Sequence, residues 1–327
     1  MKIPIGGFFE LEPSGTAGQE YHRTATLLTS GRACLRAILR YIGPSLIYIP
    51  FYMCDSVLEP TRLTGTSLQY YAIDENMAPL RKFDLGEKEY VLYVNYFGLK
   101  TDVVNLLHSV LGDKLILDNT QAFFERQMGG IPAFNSARKF FGVADGGYLY
   151  LSKFVAGELS EIQNVDTDHL HNRLAGKHGL AFTQYKEAEM HVSADLLRAS
   201  AFSTGILRGI NYAEAARRRR ANFEFLHSRL AAFNRLEFEL RDDMVPFCYP
   251  FMSIRPLDRQ VLIDKKIYFP VHWPEVVKRT DEGFEWEREL AHNLFPLPID
   301  QRYGAEEMRF IADETSKLVR ANVKACG

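Results

Sequence analysis

The sequence is short of the features that mark several classes of protein. It has only four cysteines, Cys34, Cys54, Cys248 and Cys326, in 327 residues, and no two form a C-x-x-C pair. That excludes a disulfide framework and argues against a thiolate zinc site. A reducing compartment is expected. There is no excess charge of either sign: 39 Lys and Arg stand against 41 Asp and Glu, a net charge of −2. A globally basic nucleic-acid binder is thereby excluded, though a local basic patch is not. No run of 18 apolar residues occurs, so no membrane-spanning helix is expected. The opening MKIPIGGFFELEPSGTAGQE lacks the unbroken apolar stretch of a signal peptide, and a soluble, cytoplasmic protein is expected. Internal repeats and low-complexity segments are also missing.

What is present is a substantial apolar content, 46% of residues. A chain this long buries about 75% of its unfolded surface, enough for one large core or two smaller ones. The first half alternates two patterns. SGRACLRAILRYIG (Ser30–Gly43) and TDVVNLLHSVLG (Thr101–Gly112) have apolar residues at helical spacing. SLIYIP (Ser45–Pro50), LQYYAI (Leu68–Ile73), YVLYVNYFG (Tyr90–Gly98), KLILD (Lys114–Asp118) and GGYLYLS (Gly146–Ser152) read as buried strands. Strands alternating with helices imply an α/β domain around a mostly parallel central sheet flanked by helices. Beyond about residue 155 the pattern changes. Asn211–Phe233 is one long helical stretch, Pro-punctuated segments follow, and a helix from about Ala305 to Ala325 closes the chain. The expected division is a cofactor-binding α/β domain over 1–210, then a connecting helix and a smaller α+β domain over 211–327.

Three features in the α/β half carry chemistry. Ser30-Gly31-Arg32 opens a helix, and free N–H groups at a helix start suit a phosphate; a plain Ser N-cap is the simpler alternative. Asp118 ends the apolar run LILD, and open α/β sheets bind ligands at the carboxyl ends of their strands. A helix N-cap is the alternative for Asp118, and Gln121 is close enough in sequence to approach the same ligand. The third is Lys139, between Arg138 and the pair Phe140-Phe141. An apolar setting and a neighbouring cation both favour the neutral amine that a Schiff-base lysine needs. Ser136 could reach a phosphate from the same loop. Together these are the parts that hold pyridoxal 5'-phosphate: a phosphate-binding helix start, an acid at the pyridine nitrogen, and a lysine for the aldehyde.

At these residues the sequence resembles the DegT/DnrJ/StrS family of sugar aminotransferases, within the fold-type-I pyridoxal-phosphate enzymes. Ser30-Gly31-Arg32 resembles the family's Ser-Gly-Thr helix start. LILDNTQAFF (Leu115–Phe124) resembles its acidic element and Ser136–Gly147 its lysine loop. Asn95-Tyr96-Phe97-Gly98 resembles its His-x-x-Gly segment. LIDKKIYFPVHWP and FPLPIDQRYGAEEM resemble its C-terminal elements. The resemblance implies a fold-type-I architecture with Lys139 as catalytic residue. Ser30, Gly31, Arg32, Asn95, Asp118, Gln121, Ser136 and Lys139 would surround the cofactor. The aromatic that stacks on the cofactor aligns with Cys54, so Tyr52 or Phe51 is an alternative. The implied activity is amino transfer from Glu or Gln to a keto sugar, nucleotide-linked, in polysaccharide or amino-sugar biosynthesis, by a homodimer. Two other readings stay open: a binding or regulatory protein that keeps the fold without turnover, and another pyridoxal-phosphate chemistry such as a lyase. The stretch after Lys139 is shorter than in typical members, so substrate contacts there do not carry over.

Weaker motifs receive plainer readings. Arg217–Arg220 point around most of a helix and are expected to be solvated or salt-bridged, with contact to a substrate diphosphate as the sharper alternative. DTDHLHN (Asp166–Asn172) is expected to be a polar loop; it lacks i, i+4 ligand spacing, and no metal is expected. His272-Trp273-Pro274 is read as packing, or else as the mouth of the site. Cys34 is read as a buried small residue.

Overall fold

The computed structural model describes residues 4–13, 15, 18–152, 154 and 156–324. Cys326 and Ala325, the last residue of the expected closing helix, lie outside the described residues. In chain order the elements begin with β1 (Ile5–Gly6), β2 (Thr26–Leu28), α1 (Gly31–Ile42), β3 (Leu46–Pro50), α2 (Leu58–Thr64) and β4 (Ser67–Tyr71). They continue with β5 (Glu89–Val94), α3 (Thr101–Leu111), β6 (Leu115–Asp118), β7 (Ala133–Ser136) and β8 (Gly147–Tyr150). The second half holds α4 (Asp168–Leu174), α5 (His178–Met190), α6 (Ala201–Arg208), α7 (Tyr212–Leu230), β9 (Tyr249–Met252) and α8 (Gln260–Asp264). It ends with β10 (Ile267–Tyr268), α9 (Glu285–Asn293), β11 (Leu294–Leu297) and α10 (Ala305–Lys324).

Seven strands form the main sheet in the order β2-β8-β7-β6-β5-β3-β4. β8 runs antiparallel to both of its neighbours, and the other adjacent pairs are parallel. The expected mostly parallel α/β sheet is therefore present. Its central strands are buried on both faces; Leu115–Asp118 and Ala133–Ser136 are buried throughout. α1 shows how local sequence sets an element. The Ser30 hydroxyl accepts a hydrogen bond from the Ala33 N–H at 3.0 Å, and Gly43 closes the helix at φ 59°. The face between them buries Cys34, Leu35, Ile38 and Leu39.

The later part of the chain builds smaller sheets. β9 and β11 pair antiparallel, Tyr249 opposite Leu297. β1 pairs parallel with β10, Ile5 opposite Ile267, so the first strand joins the C-terminal half across residue 210. α7 lies against α10. The reading of Asp166–Asn172 as a loop is corrected: Asp168–Leu174 is helix α4, and it packs on α5. Alternation of polar residues hid an amphipathic turn, with His169, Leu170 and Arg173 buried and His171 and Leu174 outward.

Candidate active site

The site is built where β5, β6 and β7 end. Register fixes Asp118 at their common edge, opposite Val94 of β5 and Phe134 of β7. The four residues Asp118, Asn119, Thr120 and Gln121 are all polar and all buried. So long a buried polar run needs partners. Asp118 Oδ1 accepts the Thr120 N–H at 2.8 Å, and the Asp118 carbonyl accepts the Asn95 N–H at 3.0 Å. Thr120 Oγ1 in turn accepts from Lys139 Nζ at 3.0 Å. Lys139 sits on a short turn, Ala137–Lys139, anchored by the fully buried rings of Phe140 and Phe141. Burial raises the Asp118 carboxyl above its ordinary range, and the Lys139 charge and the Thr120 hydrogen bonds oppose that rise.

A second layer braces this edge. Gln121 Oε1 accepts the Phe97 N–H at 2.9 Å, and Asn95 Oδ1 accepts the Lys100 N–H at 3.1 Å. Phe97 adopts φ 59°, a conformation costly for a non-glycine residue and held here by those bonds. Tyr96 donates its hydroxyl to the Tyr52 carbonyl at 2.9 Å. The Tyr52 ring meets Trp273 edge-on at 4.6 Å, and its own hydroxyl is buried without a partner. Cys54 is half-buried, with Sγ 2.7 Å from Ser56 Oγ. Of the three stacking candidates, Tyr52 belongs to the aromatic group beside the site, and Phe51 stacks on Phe284 at 4.0 Å.

A cavity of about 940 Å³ opens from this edge. Gln121, Ser136 and Lys139 line it; among the described residues, Ser30, Gly31, Arg32, Tyr52, Cys54, Asn95 and Asp118 stand outside its lining. His272 faces it as well, nearly parallel to Phe97 and Phe247 at 5.9 Å, with Nδ1 buried and unpartnered. Burial first, then the charges of Lys139 and Arg259, push the imidazole down to about 3, so His272 is neutral at physiological pH.

The start of α1 reaches the same region, since a Cβ on Gly31 would lie 3.4 Å from Thr120 Cγ2. Gly147 makes that approach possible. A Cβ there would fall 2.4 Å from the Ser30 carbonyl carbon. The polar side chains at this helix start are engaged elsewhere. Ser30 Oγ donates to the Ser193 carbonyl at 2.7 Å, and Arg32 binds the Val192 carbonyl and lies 3.6 Å from Glu59. A segment from the second half of the chain therefore lies over the helix that opens the first.

Thr120 is a site residue that the sequence did not single out; for His272 the cavity lining favours the mouth of the site over plain packing, and Arg219 comes from the Arg217–Arg220 run. Arg217 and Arg218 pair with Glu214 on the surface, as expected for a salt-bridged helix. Arg219 is different: it is buried, lines the cavity, and donates to Gln301 Oε1 at 2.9 Å and the Phe247 carbonyl at 3.1 Å. Burial lowers its pKa to about 10. The helical stripe Ala215, Arg219, Asn222, Phe223, Leu226, Leu230 was the available signal for it.

No protein-family model matches the sequence, and no curated protein matches it. Solved structures do. An aminotransferase, TlmJ, from Streptoalloteichus hindustanus is 16% identical and matches with a TM-score of 0.64 over 91% of this chain and 86% of that one. The sugar aminotransferase CalS13 from Micromonospora echinospora matches at 15% identity and TM-score 0.59, over 90% and 87% of the two chains. A DegT DnrJ EryC1 StrS aminotransferase from Brucella abortus matches at 14% identity and TM-score 0.59, over 89% and 84%. The chain shares the fold of these proteins along nearly its whole length.

Proposed function

We propose that this protein is a pyridoxal-phosphate-dependent aminotransferase acting on a keto sugar. The observation that carries the reading is a buried carboxylate at the end of a central strand, Asp118, joined through Thr120 to Lys139 at the edge of a large cavity. Structures of the same fold include a sugar aminotransferase, which favours that substrate class.

The residues fit the cofactor. Asp118 offers a negative charge to a pyridine nitrogen. At the start of α1 the Ala33 N–H is taken by Ser30 Oγ, and the Gly31 and Arg32 N–H groups have no intrahelical acceptor and suit a phosphate, with Ser136 at the end of β7. The unpartnered Nδ1 of His272, which lines the cavity, is a polar atom that a bound group would satisfy. When bound, the cofactor supplies an electron sink for the carbanion formed at the donor carbon. Lys139 Nζ takes the proton from that carbon and returns it on the way to product, as general base and then acid. Thr120 holds Nζ in place between these moves. His272, neutral, adds no charge to repel the lysine. Gln121 keeps the Phe97 turn against the strand edge, and Asn95 holds the Lys100 N–H just ahead of α3; both position the site.

We further propose Glu or Gln as amino donor, a nucleotide-linked keto sugar as acceptor, a role in polysaccharide or amino-sugar biosynthesis, a homodimeric assembly, and a cytoplasmic location. These extend the sequence resemblance. Among the described residues no helix is long and apolar enough to cross a membrane.

The test is spectroscopic. The purified protein with added pyridoxal phosphate should gain a visible-edge absorbance band that L-glutamate bleaches. Lys139→Ala should lack the band. A wild-type protein that binds no pyridoxal phosphate would refute the reading.

A further inference from the structure

One corner of the cavity, beside Arg138, is lined by residues of α4 and α5 and carries features that the proposed amino transfer leaves unused. His169 on α4 is buried, lines the cavity, and leaves Nδ1 without a partner. Arg138 lines the same corner. It pairs with Glu189 of α5 through Nη2, while its Nε–H is buried and unpartnered. One unsatisfied donor and one unsatisfied imidazole nitrogen in a single corner are costly unless a ligand meets both.

The walls narrow the kind of ligand. Phe8 and Tyr185 stack in parallel at 4.6 Å, with Phe182 next to Phe8 at 6.4 Å and half exposed at the rim. Glu189 neutralises Arg138, so the corner does not call for an anion. Burial first, then the charge of Arg138, lowers the His169 pKa, and the ring is neutral at pH 7. A neutral imidazole and a paired guanidinium suit hydroxyl groups, which donate and accept in the same ligand. Phe8 is faced by Tyr185 and by the Arg173 guanidinium at 4.5 Å, so this wall offers the apolar C–H face of a sugar ring aromatic edges rather than a free Phe8 face.

We infer that this corner is the subsite for the pyranose ring of the acceptor, with ring hydroxyls meeting His169 Nδ1 and Arg138 Nε and the ring lying against the Phe8, Phe182 and Tyr185 wall. The inference rests on the keto-sugar reading above and assigns that substrate its specificity residues. The carbonyl to be aminated then points along the cavity toward Lys139, the neighbour of Arg138 in the chain.

Saturation-transfer NMR on the full chain without cofactor tests it, with UDP-glucose as the probe because pyranose, ribose and uracil protons report separately. The pyranose protons should receive the most saturation. His169→Phe, which removes both imidazole nitrogens and keeps a flat ring, and Arg138→Lys, which removes Nε and keeps a cation for Glu189, should each weaken binding about tenfold, the weight of one buried hydrogen bond. His169→Asn should restore much of it, and near-ultraviolet dichroism should show all three variants folded. Saturation confined to the uracil, absence of binding to the wild type, or equal affinity in wild type, His169→Phe and Arg138→Lys would overturn the subsite. The two readings fail separately. A missing pyridoxal-phosphate band with pyranose contacts intact removes the amino transfer and keeps the sugar site. A normal band with no pyranose contact does the reverse.

Discussion

The two ends of the cavity are built by different means. At the inner end, polar groups are fixed by backbone: Asp118 by the Thr120 N–H, Gln121 by the Phe97 N–H, Asn95 by the Lys100 N–H. They lie at the edge of a buried sheet, where strand register leaves little freedom. At the outer end, α4 and α5 carry Leu174, Leu180, Phe182 and Met190 on exposed faces. Side chains there meet other side chains, such as Arg138 with Glu189 and Phe8 with Tyr185. On the function proposed above, the difference separates two tasks: a reaction centre, which needs sub-ångström placement, on the rigid sheet edge, and selection of a substrate, which tolerates adjustment, on elements with fewer core contacts.

The largest expected effect breaks the inner end while leaving its shape. Asp118→Asn keeps an oxygen for the Thr120 N–H and removes the charge. Turnover should fall about 10²–10³-fold, the cost of losing one preorganised electrostatic partner, while the absorbance band persists through Lys139. Steady-state kinetics with the spectrum as control checks this. A variant with near-normal turnover would mean that Asp118 serves only as a cap.

A steric change at the seam comes next. Gly147→Ala drives a methyl group into the Ser30 carbonyl, backbone against backbone. Neither β8 nor α1 can yield easily, and a loss of about 3 kcal/mol is expected from urea unfolding. If the inner end is the rigid part, the loss appears as a lower denaturation midpoint with an unchanged slope.

The sequence exposed the inner end far better than the outer one. Strand ends are readable because an apolar run that stops at a polar residue announces its own edge, as LILD does at Asp118. The lysine loop is readable because Phe140 and Phe141 mark a buried turn beside a charge. By contrast, α4 was hidden: DTDHLHN has seven residues with a single aliphatic one, and its buried face is made from His169 and Arg173. Burial of polar residues depends on what arrives from elsewhere in the chain, here Glu10 and the Gly6 carbonyl for Arg173. The cover over α1 was equally invisible. Ser193 lies 163 residues from Ser30, and no local pattern ties them. The same holds for β1 on β10, two residues paired at long range.

Protonation offers a graded comparison. His272 has its pKa depressed to about 3, against an ordinary value of 6.5. The unfolded chain therefore binds this proton more readily. The stability contribution of the neutral ring is complete above pH 6.5 and is lost progressively as pH falls toward 3. The slope is about 1.4 kcal/mol per pH unit at most for one group. His272→Phe should flatten the stability profile between pH 6 and 4 relative to wild type, as read from denaturation midpoints. His22, also held near 3 by burial, keeps its own slope in both proteins and cancels in the difference. An unchanged difference curve would show that His272 gains a proton without leaving its packed position.

The smallest expected effect tests whether the two ends are mechanically joined. Ser200 caps α6, accepting the Ser203 N–H at 3.1 Å, and donates to Asp145 Oδ1 at 2.7 Å; its own N–H donates to Asp145 Oδ2 at 2.8 Å. Asp145 lies just before β8, so this bond set ties the sheet to the segment that covers α1 through Val192 and Ser193. Ser200→Ala should cost about 1 kcal/mol, the usual weight of a helix cap. The N–H of residue 203 loses its acceptor, Ser200 Oγ. The N–H of residue 200 still reaches Asp145 Oδ2, so the joint loosens without opening. Hydrogen exchange should then quicken at Ala33, Ser203 and the residues beside them while β5 and β6 stay protected. Quickened exchange confined to α6 would show that the cover over α1 is held by Ser30 and Arg32 alone, and that the outer end moves independently of the sheet.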